Sequence, residues 1–139
     1  MYADTFNDLA LEAELESLLA QQFRWFSMLN RMAPAIELAE LLGEEASIQL
    51  LDETLTGSEY LANWEQRRSE LLVNGHALGW VRAQRNSLDS ATLRMGGEHR
   101  AAMRDGSVLH THFDAEWVLD LSWGEPRIQS IKLLDMRTL

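Results

Sequence analysis

The amino-acid sequence predicts an α+β domain in which three N-terminal helices pack on a curved antiparallel β-sheet. Apolar residues recur at helical spacing in the first half of the chain, whereas apolar and polar residues alternate from His76 onward. Turn-forming residues separate the alternating segments, and helices followed by successive hairpins are typical of an α+β architecture. The 139 residues contain no internal repeat or linker, so we expect a single domain over residues 1–139.

The first helix is predicted over residues 6–32, where apolar side chains, Trp25 among them, recur three and four residues apart. Acidic residues dominate its first half, where the helix dipole favours negative charge. The pair Ala33 and Pro34 ends this helix, because a residue that precedes proline avoids the α region. Pro34 suits the first turn of a second, short helix, which Gly43 closes.

A short strand is predicted over residues 46–52, and a third helix follows it. Thr56 and Glu59 have the spacing of a capping box, in which each side chain bonds the backbone amide of the other residue. The buried stripe of this helix is predicted to consist of Tyr60, Leu61, Trp64, Leu71 and Leu72. Asn74 and Gly75 are predicted to end the helix.

The rest of the chain alternates with a period of two and is predicted to form an antiparallel meander. The predicted strands are residues 77–85, 91–103, 108–123 and 127–136. Asp89 and Ser90, Arg104–Ser107 and Gly124–Pro126 are the predicted turns. The adjacent glycines 96 and 97 interrupt a strand pattern, which indicates a bulge that bends the sheet.

The stretch Leu109–Trp117, LHTHFDAEW, places two histidines and two carboxylates on one side of a predicted strand, opposite a nearly continuous apolar side. His110 and His112 could bind zinc together, but a zinc site needs a third or fourth ligand, and nothing marks Asp114 or Glu116 as ligands. We therefore expect no metal here. This face is assigned to solvent or to contact with a second subunit, where the histidines would make association sensitive to pH.

The composition excludes several classes of partner. The net charge is −10, and residues 1–53 carry eleven acidic side chains against two basic ones. Such a surface repels phosphate backbones, so we expect no nucleic acid partner; the acidity either keeps a small domain soluble or offers a surface to a basic protein. The sequence has no run of ~20 apolar residues, so no membrane association is expected. Cysteine is absent, which suits a cytoplasmic protein and excludes disulfides.

The order of these elements resembles the nuclear transport factor 2-like (SnoaL-like, cystatin-like) superfamily. The resemblance is carried by the first helix with QQFRWFSMLN, the third helix opened by TLTGSEYLANW, and the terminal hairpin EWVLDLSWGEPRIQSIKLL. It spans nearly the whole chain. It implies a cone-shaped fold whose curved sheet and helices enclose a hydrophobic pocket, and a homodimer formed through the outer sheet face. Members include enzymes and non-catalytic binding modules, so the fold alone selects no function.

Ketosteroid isomerase is one such enzyme, and the resemblance carries over only part of its site. Trp25 occupies the place of its tyrosine and Ala115 the place of a protonated aspartate, and neither side chain can act as an acid. Asp52 lies close to the place of its base. A carboxylate walled by apolar rings has the raised pKa that a proton-abstracting base needs, whereas an exposed loop acid does not. A dehydratase-like histidine pair would require His76 and His99 to face the pocket.

We therefore expect a pocket for a hydrophobic, cyclic small molecule, without a cofactor. Isomerase, dehydratase or cyclase activity would use Asp52 as the base, with His99 as the second catalytic candidate; the alternative for His99 is an ordinary strand histidine. The candidate ligand-binding rings are Trp25, Tyr60, Trp64, Trp80, Phe113 and Trp117, each of which also fits plain core packing. The alternative function is a non-catalytic interaction or dimerisation module, such as a structural protein like a dioxygenase small subunit.

Overall fold

The computed structural model describes residues 2–122 and 124–139, with side chains from residue 15 onward. Its helices are Tyr2–Asn30 (α1), Ala35–Ala39 (α2) and Gly57–Arg68 (α3). Its strands are Leu42–Gln49 (β1), Thr54–Thr56 (β2), Leu71–Ser87 (β3), Ser90–Met103 (β4), Val108–Asp120 (β5) and Arg127–Thr138 (β6). No helix in this part of the chain is both long enough and apolar enough to span a membrane.

The six strands form one sheet in the order β2-β1-β6-β5-β4-β3. Strands β3 to β6 form the predicted antiparallel meander. The prediction of a wholly antiparallel sheet is wrong at one place, because β1 pairs with β6 in parallel, with Ile48 beside Ile131. The reason is topological. The chain leaves β1 through β2 and α3, crosses to the far edge of the sheet at β3, and returns strand by strand until β6 meets β1.

Helix α3 begins as predicted and ends earlier than predicted. The backbone amide of Glu59 donates to Thr56 Oγ1 over 3.1 Å, and the amide of Thr56 donates to Glu59 Oε1 over 3.0 Å, which completes the capping box. The helix then ends at Arg68 instead of continuing to Gly75. The following leucines begin β3, where Leu71 pairs with Met103 of β4. Pairing with a distant strand therefore overrides the local helical pattern at this point.

The predicted bulge lies in β3 and not in β4. The register between these strands shifts at Gly79, which is the extra residue opposite Gly96 and Gly97. The two glycines of β4 are required for close approach, because a Cβ on Gly97 would overlap the backbone carbonyl of Ala77 and one on Gly96 would overlap the indole of Trp80. The bulge reverses which side chains of β3 face inward beyond Gly79.

The concave face of the sheet packs against the helices, and strand β5 shows how the two faces differ. Phe113 and Trp117 are buried on the inner face together with Thr111, Ala115 and Leu119, while the histidines and carboxylates of the LHTHFDAEW stretch lie on the outer face, as predicted. On the helix side, Leu18, Trp25 and Leu29 of α1 are buried against this inner face. The layer between helices and sheet contains the cavity described next.

Candidate functional site

A cavity of about 180 Å³ lies between the inner face of the sheet and helices α1 and α3. An engineered apolar cavity of about 150 Å³ is large enough to hold benzene. The space in this protein is therefore large enough for a six-membered ring with substituents. Its wall is mostly apolar, and its aromatic members are Trp25, Phe26, Tyr60, Phe113 and Trp117.

The rings of this wall hold one another in place. The ring centroids of Trp25 and Tyr60 are 5.9 Å apart in a stacked arrangement, and Trp25 meets Trp117 edge-on at 6.0 Å. Phe26 stacks on Trp117 at 5.7 Å. Aromatic pairs at these distances contribute attraction beyond the burial of their area. Trp25 and Trp117 are 2% and 1% exposed, so close packing fixes the orientation of both rings in the cavity wall.

Two histidines interrupt this apolar wall. His76 of β3 and His99 of β4 are directly opposite each other in the antiparallel register, so their side chains share the inner face. Their imidazole rings stack with centroids 4.3 Å apart and planes 13° apart, and both line the cavity. His76 and His99 therefore both face the pocket, as a dehydratase-like histidine pair requires.

An asparagine determines the tautomer of each ring. His76 Nδ1 lies 2.8 Å from Asn30 Oδ1 on α1, and His99 Nε2 lies 2.6 Å from Asn74 Oδ1 on β3. An amide oxygen only accepts hydrogen bonds, so the bonded nitrogen of each ring carries the hydrogen. Asn74 Nδ2 donates to the carbonyl oxygen of Leu29 over 2.9 Å, which fixes the orientation of this amide.

The second nitrogen of each ring, His76 Nε2 or His99 Nδ1, therefore carries no hydrogen and has a free lone pair. Neither nitrogen has a hydrogen-bond partner within residues 15–122 and 124–139. Burial lowers the pKa of His76 to about 3, and the proximity of His99 contributes in the same direction. Burial also lowers the pKa of His99, assisted by the charge of Arg67. Both imidazoles are consequently neutral at pH 7 and able to accept a proton.

Tyr60 and Thr111, which each carry a hydroxyl group, also line the cavity. Burial raises the pKa of Tyr60 to about 12, so its phenol remains protonated at physiological pH. Thr111 of β5 is 3% exposed, and its Oγ1 is buried without a hydrogen-bond partner in the described part of the chain. Sequence reasoning missed Thr111, although it is the polar exception on the apolar side of its strand. It also misses Asn74, because the Asn-Gly pair at residues 74 and 75 predicts the end of a helix.

The predicted base does not lie in this cavity. Asp52 is exposed in the turn between β1 and β2, beyond the last residue of β1, where the amide of Leu50 donates to the carbonyl of Glu53 over 2.8 Å. The expectation that apolar rings enclose Asp52 is therefore not met. His99, the second catalytic candidate, does line the cavity.

Four of the six candidate ring residues line the cavity, and two do not. Trp64 is buried one helical turn beyond Tyr60, where its indole nitrogen donates to the carbonyl of Ala33 over 2.9 Å. Trp80 is 42% exposed on the outer face, and the guanidinium of Arg82 lies 5.5 Å from its ring centroid. The bulge at Gly79 explains this placement, because uninterrupted alternation from His76 would have directed Trp80 inward. The roles of the four lining rings in ligand binding stay predictions.

The outer face carries contacts between polar and charged side chains, as expected of a solvated or contacting surface. His110 Nε2 lies 3.1 Å from Glu98 Oε2, and His112 Nε2 lies 3.4 Å from Asp114 Oδ1. Across the strands, Arg94 Nε lies 2.8 Å from Glu116. No group of three or more histidine, cysteine, aspartate or glutamate side chains within the described residues is arranged to hold a metal ion.

Comparison with known proteins identifies similar folds. No protein-family model matches the sequence, and no curated protein matches it. A provisionally assigned scytalone dehydratase from Novosphingobium aromaticivorans superposes with a TM-score of 0.78 at 15% identity, over 96% of this chain and 88% of that protein. A provisionally assigned dehydratase of the nuclear transport factor 2-like family from Streptomyces avermitilis gives 0.75 at 11% identity, over 88% and 95%. A nuclear transport factor 2-like protein with a cystatin-like fold, also from Novosphingobium aromaticivorans, gives 0.73 at 17% identity, over 93% and 87%.

Proposed function

Because the chain has the nuclear transport factor 2-like fold that its sequence predicts, we propose that its cavity binds a hydrophobic, cyclic small molecule and catalyses proton transfer on it, as an isomerase or a dehydratase does. The observation that carries this proposal is the stacked pair His76 and His99 inside an otherwise apolar, ring-lined cavity. Two polar rings in an apolar wall are costly to desolvate, and their position suits chemistry on a buried ligand.

The cavity supports a cyclic ligand because flat, rigid faces line it. Trp25 and Trp117 meet edge to face, so a ring placed against one of them also touches the edge of the other. Apolar area removed from water contributes about 25 cal/mol per Å² to binding. A ligand of one substituted ring would gain most of its affinity from this burial, and the few polar groups of the wall would orient it.

His99 is the better base of the pair. A pKa of about 3 makes His76 a weak proton acceptor at neutral pH. The pKa of His99 is also lowered by burial, which keeps the ring neutral and its Nδ1 lone pair available. We assign proton abstraction to His99, and to His76 the positioning of its neighbour by stacking. Asp52 keeps a predicted role only if it acts on the ligand from the exposed turn, and its position supports this less well.

The two reaction types share their first step. His99 Nδ1 would accept a proton from a carbon next to a carbonyl group, leaving an enolate and an imidazolium. In an isomerisation, the imidazolium returns this proton to another carbon. In a dehydration, the electron pair of the broken C–H bond forms the double bond, a hydroxyl group leaves from the adjacent carbon, and the imidazolium protonates it to give water. Two of the structures with the same fold are described as dehydratases, which supports the second outcome.

The test is proton exchange on a simple cyclic ketone, because it requires no knowledge of the natural substrate. 2-Tetralone in deuterated buffer is incubated with the protein, and incorporation of deuterium next to the carbonyl is followed by NMR. We expect the wild type to accelerate exchange and His99→Gln to lose this acceleration by about 10²–10⁴-fold, the usual contribution of a general base. Gln at this position can still donate to Asn74, so we expect the variant to retain the fold.

Asp52→Asn is the matched control, and its exchange rate is expected to equal that of the wild type. Thermal unfolding of each variant shows that the domain is intact. A wild-type protein that binds 2-tetralone without accelerating exchange would contradict the catalytic part of the proposal. A loss of exchange in Asp52→Asn with full activity in His99→Gln would return the base role to Asp52.

The outer sheet face supports a second role, in homodimer formation. Its contacts include the ion pair of Arg94 with Glu116 and the hydrogen bond between His110 and Glu98, and exposed Trp80 adds an apolar element. Such a mixed face fits contact with a second copy better than a solvent face of uniform charge does. Sedimentation equilibrium tests this idea: we expect a dimer that Glu116→Arg dissociates, while the same substitution at exposed Glu40, beyond the end of α2, does not. A monomeric wild type would contradict it.

A further inference from the structure

The hydroxyl group of Thr111 is left without a hydrogen-bond partner in the wall of the cavity. The residue lines the cavity and is 3% exposed, and its Oγ1 has no hydrogen-bond partner within the described residues. Buried hydroxyl groups in proteins are normally hydrogen-bonded, and each exception requires an explanation. Valine has nearly the same shape and fits a buried strand without this cost. The hydroxyl group is therefore the part of Thr111 that packing does not account for.

Thr111 also lies next to the histidine pair, which places its hydroxyl group near the proposed base. In the register of β4 and β5, Thr111 is directly opposite His99, so both side chains project from neighbouring strands into the same space. Side chains opposite each other in an antiparallel pair have Cβ atoms about 5 Å apart. Thr111 and His99 therefore border the same part of the cavity, and a ligand beside Thr111 also lies beside the imidazole of His99.

The hydrogen-bonding capacity of the cavity indicates what Thr111 would bind. His99 Nδ1 has a free lone pair and can only accept a hydrogen bond from a ligand, whereas the hydroxyl group of Thr111 has a hydrogen to donate. We propose that Thr111 donates a hydrogen bond to an oxygen atom of the bound ligand, so that the cavity selects cyclic compounds with a carbonyl oxygen over the corresponding hydrocarbons. This inference rests on the proposed ligand binding and is independent of catalysis.

The experiment compares two probes of the same shape in three proteins. Acetophenone and ethylbenzene share a ring and a two-carbon substituent and differ in the carbonyl oxygen. Their affinities for the wild type, Thr111→Val and Thr111→Ser are measured from the shifts of the indole N–H resonances of the tryptophans. We expect Thr111→Val to weaken acetophenone binding about fivefold and to leave ethylbenzene binding unchanged, because a hydrogen bond of ordinary strength is lost. Thr111→Ser retains the hydroxyl group and is expected to retain the wild-type affinity for acetophenone.

Thermal unfolding of the ligand-free proteins is the second measurement, and here Thr111→Val is expected to have a favourable effect instead of an unfavourable one. Thr111→Val removes a buried hydroxyl group that has no partner, so the variant is expected to unfold at a higher temperature than the wild type. Higher stability together with weaker acetophenone binding is the combination that a purely structural threonine would not produce. Equal effects on both probes, or no effect on either, would overturn the inference while leaving ligand binding established. Failure of both probes to bind the wild type would overturn the proposed binding function as well.

Discussion

His76 and His99 stack across the β3–β4 pair with their ring centroids 4.3 Å apart, and each ring is held by a different asparagine. The arrangement keeps both rings neutral, because burial lowers the pKa of each; the proximity of His99 lowers the pKa of His76 further, and the charge of Arg67 lowers that of His99 further. It also leaves one lone pair of each ring free. These two properties define how the site responds to pH and to substitution.

Stability is expected to fall in mild acid because of His76. The pKa of this ring is about 3 in the folded protein, whereas an ordinary histidine side chain, as in the unfolded chain, has a pKa of 6.5. The unfolded chain therefore binds more protons than the folded protein between these two pH values. The free energy of unfolding therefore decreases as the pH falls from about 6.5 towards 3, by up to ~1.4 kcal/mol per pH unit for this group. Urea unfolding of the wild type and of His76→Gln across this range measures the effect. Equal pH slopes in the two proteins would show that His76 does not contribute.

Asn74→Asp is expected to raise the pKa of His99. A carboxylate in place of the amide still accepts the hydrogen of Nε2, and its negative charge stabilises the imidazolium form. NMR titration of the His99 ring measures the shift, and the same substitution at Asn86, an exposed amide elsewhere on β3, is the matched control. A His99 pKa that is unchanged in Asn74→Asp would mean that the hydrogen bond does not determine its protonation.

Two tryptophans that look alike in sequence are expected to differ in their contribution to stability. Trp117→Ala removes a side chain that is 1% exposed and packed against Trp25 and Phe26, and such a deletion costs about 3–5 kcal/mol. Trp80→Ala removes a side chain that is 42% exposed and is expected to cost about 1 kcal/mol. Chemical denaturation of both variants gives the two values. A cost for Trp80→Ala equal to that for Trp117→Ala would place Trp80 in the core.

Gly97→Ala is expected to destabilise the sheet by about 2 kcal/mol or more. The added methyl group would overlap the backbone carbonyl of Ala77, which cannot move aside as a flexible side chain does. Gly79→Ala is the control, because its added methyl group would lie 3.6 Å from the nearest atom, the carbonyl oxygen of Gly96. Thermal unfolding compares the two variants, and similar melting temperatures would exclude the close approach at Gly97.

Local signals in the sequence predict the fold well where the structure depends on local interactions. The capping box of Thr56 and Glu59 involves only neighbouring residues, and both of its hydrogen bonds are present. The alternation of β5 also predicts its two faces. The prediction fails at Leu71 and Leu72, because their spacing fits a helix as well as a strand. Pairing with β4, which lies far along the chain, decides between the two.

The candidate site is harder to predict because single residues decide which way a strand faces. One extra residue, Gly79, directs His76 and Trp80 to opposite faces of the sheet, although they are four positions apart in an alternating strand. Asp52 illustrates the same limit: its distance from the end of β1 determines whether it lies in the cavity or in a turn. Thr111 could have been found from its exceptional polarity on an apolar face, whereas the partners of the histidines depend on contacts between distant elements.

The place of β6 in the sheet has a consequence for how the chain folds. This strand comes last along the chain, yet it lies between β1 and β5 and connects the two parts of the sheet. The β1–β2 ladder therefore cannot join the meander until β6 is in position, and contacts between segments that are far apart in sequence form slowly. We infer that the pairing of β6 with β1 and β5 limits the rate of folding. Until this pairing forms, β1 has an unpaired edge that can associate with other chains.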